Sequence, residues 1–253
     1  MSLSDITVIV PTFHRRGYLR DCLKGLEDNL PECLTVVVSD DDIEPELRGY
    51  VTWQELPYDS GHSAKRNAGV ELVVTPYTLI GADDFDYSTP EARKSVIEMA
   101  LVLKYNKNID MVVGRHNNRD YHGFLEYVPG EYIKEHRLDI KRCLPTILKP
   151  FVLWKIDIGP VFFLARTETL REVPWDASIG PIGGEHVDFF LDLKAAGKLV
   201  VYLPSANVNE LPHDPTKQDP RYSAFRRRCW DGHALMMKKR GIKNYYGFDE
   251  VVK

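Results

Sequence analysis

This chain of 253 residues lacks the features that mark several classes of protein. Its formal net charge at pH 7 is only −4, so no general attraction to nucleic acid or to anionic lipid is expected. No apolar stretch approaches the roughly 18 residues of a membrane-spanning helix, which argues against an integral membrane segment. The first residues also lack the charged and apolar regions of a signal peptide. We therefore expect a cytoplasmic protein that binds no nucleic acid and whose membrane association, if any, is through partners.

Cysteine is scarce as well. The four cysteines lie far apart in the sequence and show no spacing typical of a metal site. Reduced thiols are therefore expected, as in most cytosolic proteins. The composition is otherwise ordinary, with 43% apolar and 28% charged residues over a length that suits one large α/β domain or two small ones. No internal repeat or clear linker divides the chain, so we expect a single domain over residues 4–253.

The first third of the chain alternates between short apolar runs and amphipathic segments. Three strands are predicted at 6–10, 34–39 and 76–80, and two helices at 17–28 and about 63–72. Strand, helix, strand, helix, strand is the pattern of a parallel sheet with crossover helices. The predicted fold class is therefore α/β, with a mostly parallel central sheet flanked by helices.

The remainder is less regular. Further strands are predicted at 111–114, 161–165 and 200–203, and a helix is predicted at 185–196. Gly197 follows that helix and is suited to its C-cap. Residues 117–155 are polar and aromatic without a clear period, which is typical either of an inserted hairpin or of a substrate-binding excursion.

Three acids follow the third predicted strand directly: Asp83, Asp84 and Asp86. Carboxylates crowded at the end of a buried strand repel one another unless something neutralises them. A hard divalent cation does so with oxygen ligands, and such cations commonly also hold substrate phosphates. The alternative is a solvated acidic turn before the helix that starts near Thr89. The cluster alone does not separate these two interpretations.

The neighbouring strand ends favour a shared site. Ligands of parallel α/β sheets bind beyond the carboxyl ends of the strands. Here those ends carry Pro11 and Thr12, an acidic run that includes Asp40 and Asp41, and the Asp83–Asp84 pair. Three polar clusters at equivalent ends indicate one site more than three unrelated turns, and they strengthen the metal interpretation.

Two further pairs of charged residues suit the chemistry of such a site. Lys65 and Arg66 are cations able to bind a diphosphate or a base, although an exposed helix face with ion pairs would look the same. Glu185 and Asp188 lie three residues apart and so share one helix face, where either could act as a general base. Glu185 can equally be a first-turn acid favoured by the helix dipole.

Several short segments, taken in order, resemble the GT-A fold glycosyltransferases of the family 2 type. They are ITVIVPTF at 6–13, VSDDD at 38–42, AKRNAG at 64–69, and WD at 175–176 followed by GEHVDFF at 184–190. The last of these segments is similar to the acceptor-side segment of inverting members, and this segment and residues 82–85 most resemble β-1,4-N-acetylgalactosaminyltransferases. The resemblance spans residues 6 to about 213.

The resemblance implies a GT-A domain with a nucleotide-sugar half at about 4–114 and an acceptor half at about 115–253. It implies an inverting, metal-dependent transfer of a sugar from a nucleoside-diphosphate sugar, such as a UDP-sugar, to a hydroxyl of a glycan or another acceptor. Mn2+ or Mg2+ is the expected cation. Of the acids, Asp84 is implied as the metal ligand and Asp83 as a contact of the donor ribose or of the metal. Asp86 is a rival ligand, and His213 is implied as a further one.

The same resemblance assigns the remaining residues. The nucleotide pocket is implied to contain Pro11, Thr12, Asp40 as the acceptor of a uracil hydrogen bond, Asp41 as its one-position alternative, Lys65 and Arg66. The base is implied to be Asp188 or Glu185, with a preference for Asp188. The usual Asp-x-Asp motif would place an acid at Gly81, where this chain departs from the pattern.

Two other functions fit parts of the pattern. A nucleotidyltransferase can share a related sheet and a metal-bound diphosphate, but it usually has a glycine-rich basic loop after the first strand, and residues 11–17 contain one glycine. A sugar-binding or scaffolding module without activity is the second alternative. Its main support is Gly81, which stands where an acid is expected.

Overall fold

A large mixed sheet forms the centre of the computed structural model, which describes residues 2–41, 51–119 and 121–248. The strands are β1 (Ile6–Thr12), β2 (Leu34–Ser39), β3 (Thr52–Glu55), β4 (Tyr77–Ile80), β5 (Phe85–Asp86), β6 (Met111–His116), β7 (Gly123–Val128), β8 (Tyr132–Arg137), β9 (Thr146–Leu148), β10 (Phe151–Ile156), β11 (Phe163–Arg166), β12 (Val200–Glu210) and β13 (Asn244–Tyr246). The helices are α1 (Arg16–Asn29), α2 (Gly61–Leu72), α3 (Pro90–Tyr105), α4 (Thr167–Glu172), α5 (Glu185–Ala195), α6 (Pro220–Arg226) and α7 (Cys229–Arg240).

The sheet order is β3-β2-β1-β4-β11-β6-β12-β10-β9, and β5 pairs with β12 beside this path. The first four strands pair in parallel, as β6 and β12 also do. β11 runs antiparallel to both β4 and β6, and β10 runs antiparallel to β12 and β9. The predicted α/β class, with a central sheet flanked by helices, is confirmed, and the parallel pairing predicted for the first third lies where expected.

Local sequence explains the elements that carry the site. β1 is buried along its whole length, as the apolar run at its start predicts. The strand continues through Pro11 to Thr12, whereas the sequence pattern ends it at Val10. Pairing of β1 with β4 stops at Ile9 and Ile80. On the β4 side, Pro11 therefore has no neighbouring strand to which a backbone N–H would have to donate, and a proline is tolerated there.

Residues 117–155 contain an inserted hairpin, which is one of the two structures expected for this stretch. β7 and β8 pair antiparallel, and β13 adds to β8 as a third strand. β9 and β10 instead extend the edge of the main sheet next to β12. β3 was not predicted, because its four residues are only partly buried and lack an apolar alternation.

The helices of the described part of the chain were expected not to cross a membrane. None of them combines the length and the apolar character that a crossing would require.

Candidate functional site

A cleft of about 500 Å³ opens at the carboxyl ends of the parallel strands. Pro11 and Phe13 line it from the end of β1, residues 81–85 from the end of β4, and His116 from the end of β6. Helix α5 contributes residues 185–187 to the opposite part of the lining. The cleft therefore lies where the strand-end clusters predict a shared site.

The two acids after β4 are held together by an arginine that the sequence analysis did not single out. Arg15 Nη1 donates to Asp83 Oδ1 at 2.8 Å, and its Nη2 donates to Asp84 Oδ2 at 2.7 Å. Thr12 Oγ1 donates to the other oxygen of Asp83 at 2.8 Å. Burial raises the pKa of Asp83 to about 6, although the Arg15 charge acts against that rise. In this structure the repulsion between the two carboxylates is thus balanced by a protein cation.

Asp40 and Lys65 form a buried ion pair behind the cleft wall. Lys65 Nζ donates to Asp40 Oδ1 at 2.6 Å and to the carbonyl oxygen of Thr12 at 3.0 Å, and both side chains are fully buried. The second oxygen of Asp40 accepts from the N–H of Gly61 at 2.9 Å. Burial lowers the pKa of Lys65, and Asp40 opposes that change. The contacts of this pair join the ends of β1 and β2 to the start of α2.

Asp41 is also occupied by protein donors. Its carboxylate accepts from the backbone N–H of His14 and from the Ser39 hydroxyl, and it lies 3.2 Å from His14 Nδ1. Neither Asp40 nor Asp41 lines the cleft. Asp42, the last residue of this acidic run, lies outside the described residues.

Arg66 and Glu185 meet inside the cleft. Arg66 Nη1 lies 3.6 Å from Glu185 Oε1, and each residue is 6% exposed. Within the described part of the chain, Nε and Nη1 of Arg66 have no hydrogen-bond partner. Burial lowers the pKa of Arg66, and the charge of Glu185 opposes the shift. Arg66 lines the cleft, and a guanidinium in this position is suited to binding an anionic group.

Asp188 lies on the same helix as Glu185 but points away from the cleft. It is fully buried, with Oδ1 accepting from Arg240 Nε at 2.5 Å and Oδ2 accepting from Lys239 Nζ at 2.7 Å. Helix α7 thus covers the part of α5 on which Asp188 lies. The preference for Asp188 as the base conflicts with this placement, because a carboxylate closed in by two cations cannot reach a substrate.

The burial of Asp188 predicts a large effect on stability. Asp188→Ala would remove the carboxylate that Arg240 and Lys239 share, but each cation keeps a second acidic partner, so the cost is that of lost charged hydrogen bonds, about 1–3 kcal/mol. We expect a loss of that size in the free energy of unfolding, measured by urea denaturation. Asp28→Ala is the control, since Asp28 pairs with Lys24 on an exposed face of α1. Equal losses of unfolding free energy in both variants would show that the Asp188 carboxylate is not a buried ion-pair partner.

The other two predicted metal ligands are placed differently from Asp84. Asp86 accepts from the Ser88 backbone N–H at 3.0 Å and from the Ser88 hydroxyl at 2.5 Å, and it does not line the cleft. His213 lines a cavity of about 370 Å³ that adjoins the cleft and shares Asp84 with it. Across the described residues, no group of three His, Cys, Asp or Glu side chains is placed to hold a metal. Asp84 lines both the cleft and the adjoining cavity, where its carboxylate could contribute to a cation site completed by substrate oxygens.

Gly81, where the chain departs from the expected motif, has a packing explanation. A Cβ atom at this position would lie 2.7 Å from the hydroxyl of Tyr87, which is fully buried. That hydroxyl has no hydrogen-bond partner among the residues the structure describes. Any side chain at position 81 would therefore collide with a core tyrosine.

This collision gives a second stability prediction. Gly81→Ala should lower the free energy of unfolding by about 1–3 kcal/mol, as overpacking of a core usually does. Tyr87→Phe removes the colliding atom, so the double variant should recover most of the loss in urea denaturation. Additive losses in the double variant would show that position 81 is constrained by something other than Tyr87.

Several residues of the cleft had no distinctive sequence signal. Arg15 belongs to a run of polar residues after β1, and its acidic partners lie almost 70 residues later. His186 lines the cleft, and its Nε2 lies 2.7 Å from the carbonyl oxygen of Gly159. Burial lowers its pKa. One signal could have indicated Arg15: it is a cation near the end of one strand, and acids follow the end of a neighbouring strand.

Comparison with known proteins finds relatives that match most of this chain in sequence. No family model matches the chain. Mouse beta-1,4 N-acetylgalactosaminyltransferase 2 is 31% identical over 225 residues, which is 87% of this chain and 42% of that protein. The chain spans less than half the length of the curated relatives it matches.

Solved structures with similar folds are more distant in sequence. The mannosyltransferase PcManGT from Pyrobaculum calidifontis, solved with GDP-Man and Mn2+, has a TM-score of 0.61 at 15% identity, covering 93% of this chain and 63% of that one. GalNAc-T7, solved with UDP, GalNAc and Mn2+, has a TM-score of 0.64 at 12% identity, covering 83% of this chain and 43% of that one. At such low identities the similarity shows a common fold.

Proposed function

With the GT-A glycosyltransferase fold and the motif resemblance both confirmed, we propose that this chain transfers a sugar from a nucleoside-diphosphate sugar to a hydroxyl group. A UDP-sugar is the proposed donor, and a glycan or another hydroxyl compound is the proposed acceptor. The observation that carries the proposal is the strand-end cleft, which collects the Asp83–Asp84 pair, Arg66 and Glu185 in one cavity. The names of the relatives and the ligands of the neighbours support the same reaction.

The donor would occupy the β1 and β4 side of the cleft. Pro11 lines this side, and Thr12 supports it by holding Asp83. Asp84 would hold Mn2+ or Mg2+ together with the diphosphate oxygens, an arrangement that such cations commonly adopt. When bound, the cation supplies Lewis-acid stabilisation of the departing diphosphate. Arg66 offers unused donors to the same anion.

Lys65, Asp40 and Asp41 contribute indirectly in this proposal. The Lys65–Asp40 pair orders the strand ends beneath the nucleotide, and Asp41 fixes the turn that carries His14. For Asp40 to accept a hydrogen bond directly from the N–H of a base, one of its oxygens would have to give up its protein donor.

Glu185 is the proposed general base. It lines the cleft at the start of α5, whereas Asp188 is enclosed by α7. A base at this position would remove the proton of the acceptor hydroxyl as its oxygen attacks the anomeric carbon, which gives inversion of configuration. Arg66 orients the Glu185 carboxylate from 3.6 Å.

An inactive binding module is less well supported. Its main argument was the glycine at position 81, and the contact of that position with Tyr87 explains the glycine by packing. Asp84, the acid proposed to hold the metal, lines the cleft.

Titration with UDP tests the proposed function. We expect calorimetry to detect UDP binding when Mn2+ is present, and thermal unfolding to shift upward under the same conditions because the ligand binds only the folded state. UMP is the matched control, since it lacks the second phosphate. The absence of metal-dependent UDP binding at millimolar concentration would contradict the proposal. Hydrolysis of a panel of UDP-sugars then separates an enzyme from a binding module.

A further inference from the structure

Arg15 occupies the centre of the acidic pair that follows β4. Its two terminal nitrogens contact one carboxylate each, at 2.8 Å for Asp83 and 2.7 Å for Asp84. Its side chain is 11% exposed, and it lines both the cleft and the adjoining cavity. The guanidinium thus contacts the same carboxylates to which the sequence analysis assigned a divalent cation.

Aromatic rings hold the guanidinium from two further directions. The Cζ atom of Arg15 lies 4.7 Å from the ring centroid of Tyr18 and 4.6 Å from that of Tyr222. Tyr222 belongs to α6, so the arginine links α1, the end of β4 and this later helix. Cation–π contacts of this kind help to hold the guanidinium in place. The guanidinium is therefore held by several partners at once, unlike the side chains of a mobile surface ion pair.

The guanidinium and a divalent cation compete for Asp84. Oδ2 of Asp84 is already used by Arg15, and a cation placed on that oxygen would lie close to a second positive charge. Two cations this close are stable only when further anionic oxygens separate them, and a diphosphate provides such oxygens. One nitrogen of Arg15, Nε, has no hydrogen-bond partner among the described residues and so has a donor to spare.

We propose that Arg15 is a resident counter-ion that exchanges with the divalent cation. In the metal-free protein it bridges Asp83 and Asp84, which reduces their repulsion and keeps the strand end ordered. When the cation and donor enter, Arg15 leaves Asp84 and turns its donors to the diphosphate in the same cleft. This inference rests on the proposed function for its second part, whereas the first part concerns metal binding alone.

The experiment compares Arg15→Gln with the unaltered protein and with Lys24→Gln. Lys24 is the matched control, because it forms an exposed ion pair on α1, the helix that begins at the residue after Arg15. Mn2+ binding is measured without nucleotide by calorimetry and by electron paramagnetic resonance of free Mn2+. We expect Arg15→Gln to bind Mn2+ about tenfold more tightly, since its competitor is removed, and to bind UDP about tenfold more weakly at saturating Mn2+. Lys24→Gln should match the unaltered protein in both titrations.

Other outcomes overturn the exchange. An unchanged or weakened Mn2+ affinity in Arg15→Gln shows that the arginine does not compete. UDP binding that is equally strong with and without Mn2+ shows that Arg15 replaces the metal permanently. Unchanged UDP affinity in Arg15→Gln removes the proposed contact with the diphosphate. If no protein binds UDP, the proposed function fails, while the Mn2+ titrations without nucleotide still decide the competition.

A measurement on the unaltered protein covers the case in which Arg15→Gln does not fold. Arginine guanidinium groups are labelled with 15N and followed by NMR during titration with diamagnetic Mg2+. A guanidinium fixed by two carboxylates rotates slowly about its Cζ–Nε bond, so exchange should broaden or shift one hindered signal. The absence of any change in the hindered signals up to millimolar Mg2+ would overturn the proposal.

Discussion

Replacing Glu185 by glutamine is expected to lower the rate of sugar transfer about 10³-fold, in the middle of the range for loss of a general base. Glutamine has nearly the same shape, so the contacts at the start of α5 should persist. UDP affinity should not fall, because the residue acts on the acceptor hydroxyl and the loss of its charge leaves Arg66 free for the diphosphate. The rate is followed as UDP release from a UDP-sugar in the presence of acceptor, and affinity is followed by calorimetry.

Asp192→Asn is the matched control for this substitution. Asp192 lies on the same helix and pairs with Arg240, outside the cleft. Its variant should keep the rate of the unaltered protein. Retention of the full transfer rate by Glu185→Gln would contradict the assignment. If Asp188→Asn lost that rate while remaining folded, the base would be Asp188 after all.

Replacing Asp84 by asparagine is expected to weaken metal-dependent UDP binding by at least about 100-fold. Loss of a group that merely orients a metal ligand usually costs 10–100-fold in metal affinity, so loss of the ligand itself should cost no less. Asparagine keeps the size of the side chain but removes the charge that a hard cation requires. The measurement is a calorimetric titration with UDP at fixed Mn2+.

Asp86→Asn provides a control two residues away. The Asp86 carboxylate is used by Ser88 and lies outside the cleft, so UDP affinity should be unchanged in this variant. Equal losses in the two variants would restore Asp86 as a ligand. A loss confined to Asp86→Asn would reverse the assignment.

Much of the donor side could be predicted from the sequence. The apolar runs that become β1, β2 and β4 are short and bounded by polar residues, and parallel pairing brings their carboxyl ends to one edge. Pro11, Asp83, Asp84 and Arg66 accordingly line a single cleft. Strand periodicity is a local property, and the topology of crossover units brings distant strand ends together, so the position of this cleft could be expected from the sequence.

The acceptor side shows what a local pattern leaves open. Spacing places Glu185 and Asp188 on one face of α5, but it does not say what packs there. Arg240 and Lys239, about 50 residues later, bury Asp188 and leave Glu185 in the cleft. The preference for Asp188 came from motif position, which carries no information about the partner helix.

The acidic cluster after β4 separates the two sources of information most clearly. The sequence by itself determined that carboxylates end the third parallel strand and that they need a compensating charge. Tertiary structure decided that Arg15 supplies this charge, that Asp84 faces the cleft and that Asp86 turns to Ser88. It also decided that Tyr87 excludes a side chain at Gly81. Strand periodicity depends on neighbouring residues, whereas ion pairing and close packing depend on which distant side chains the fold brings within a few ångströms.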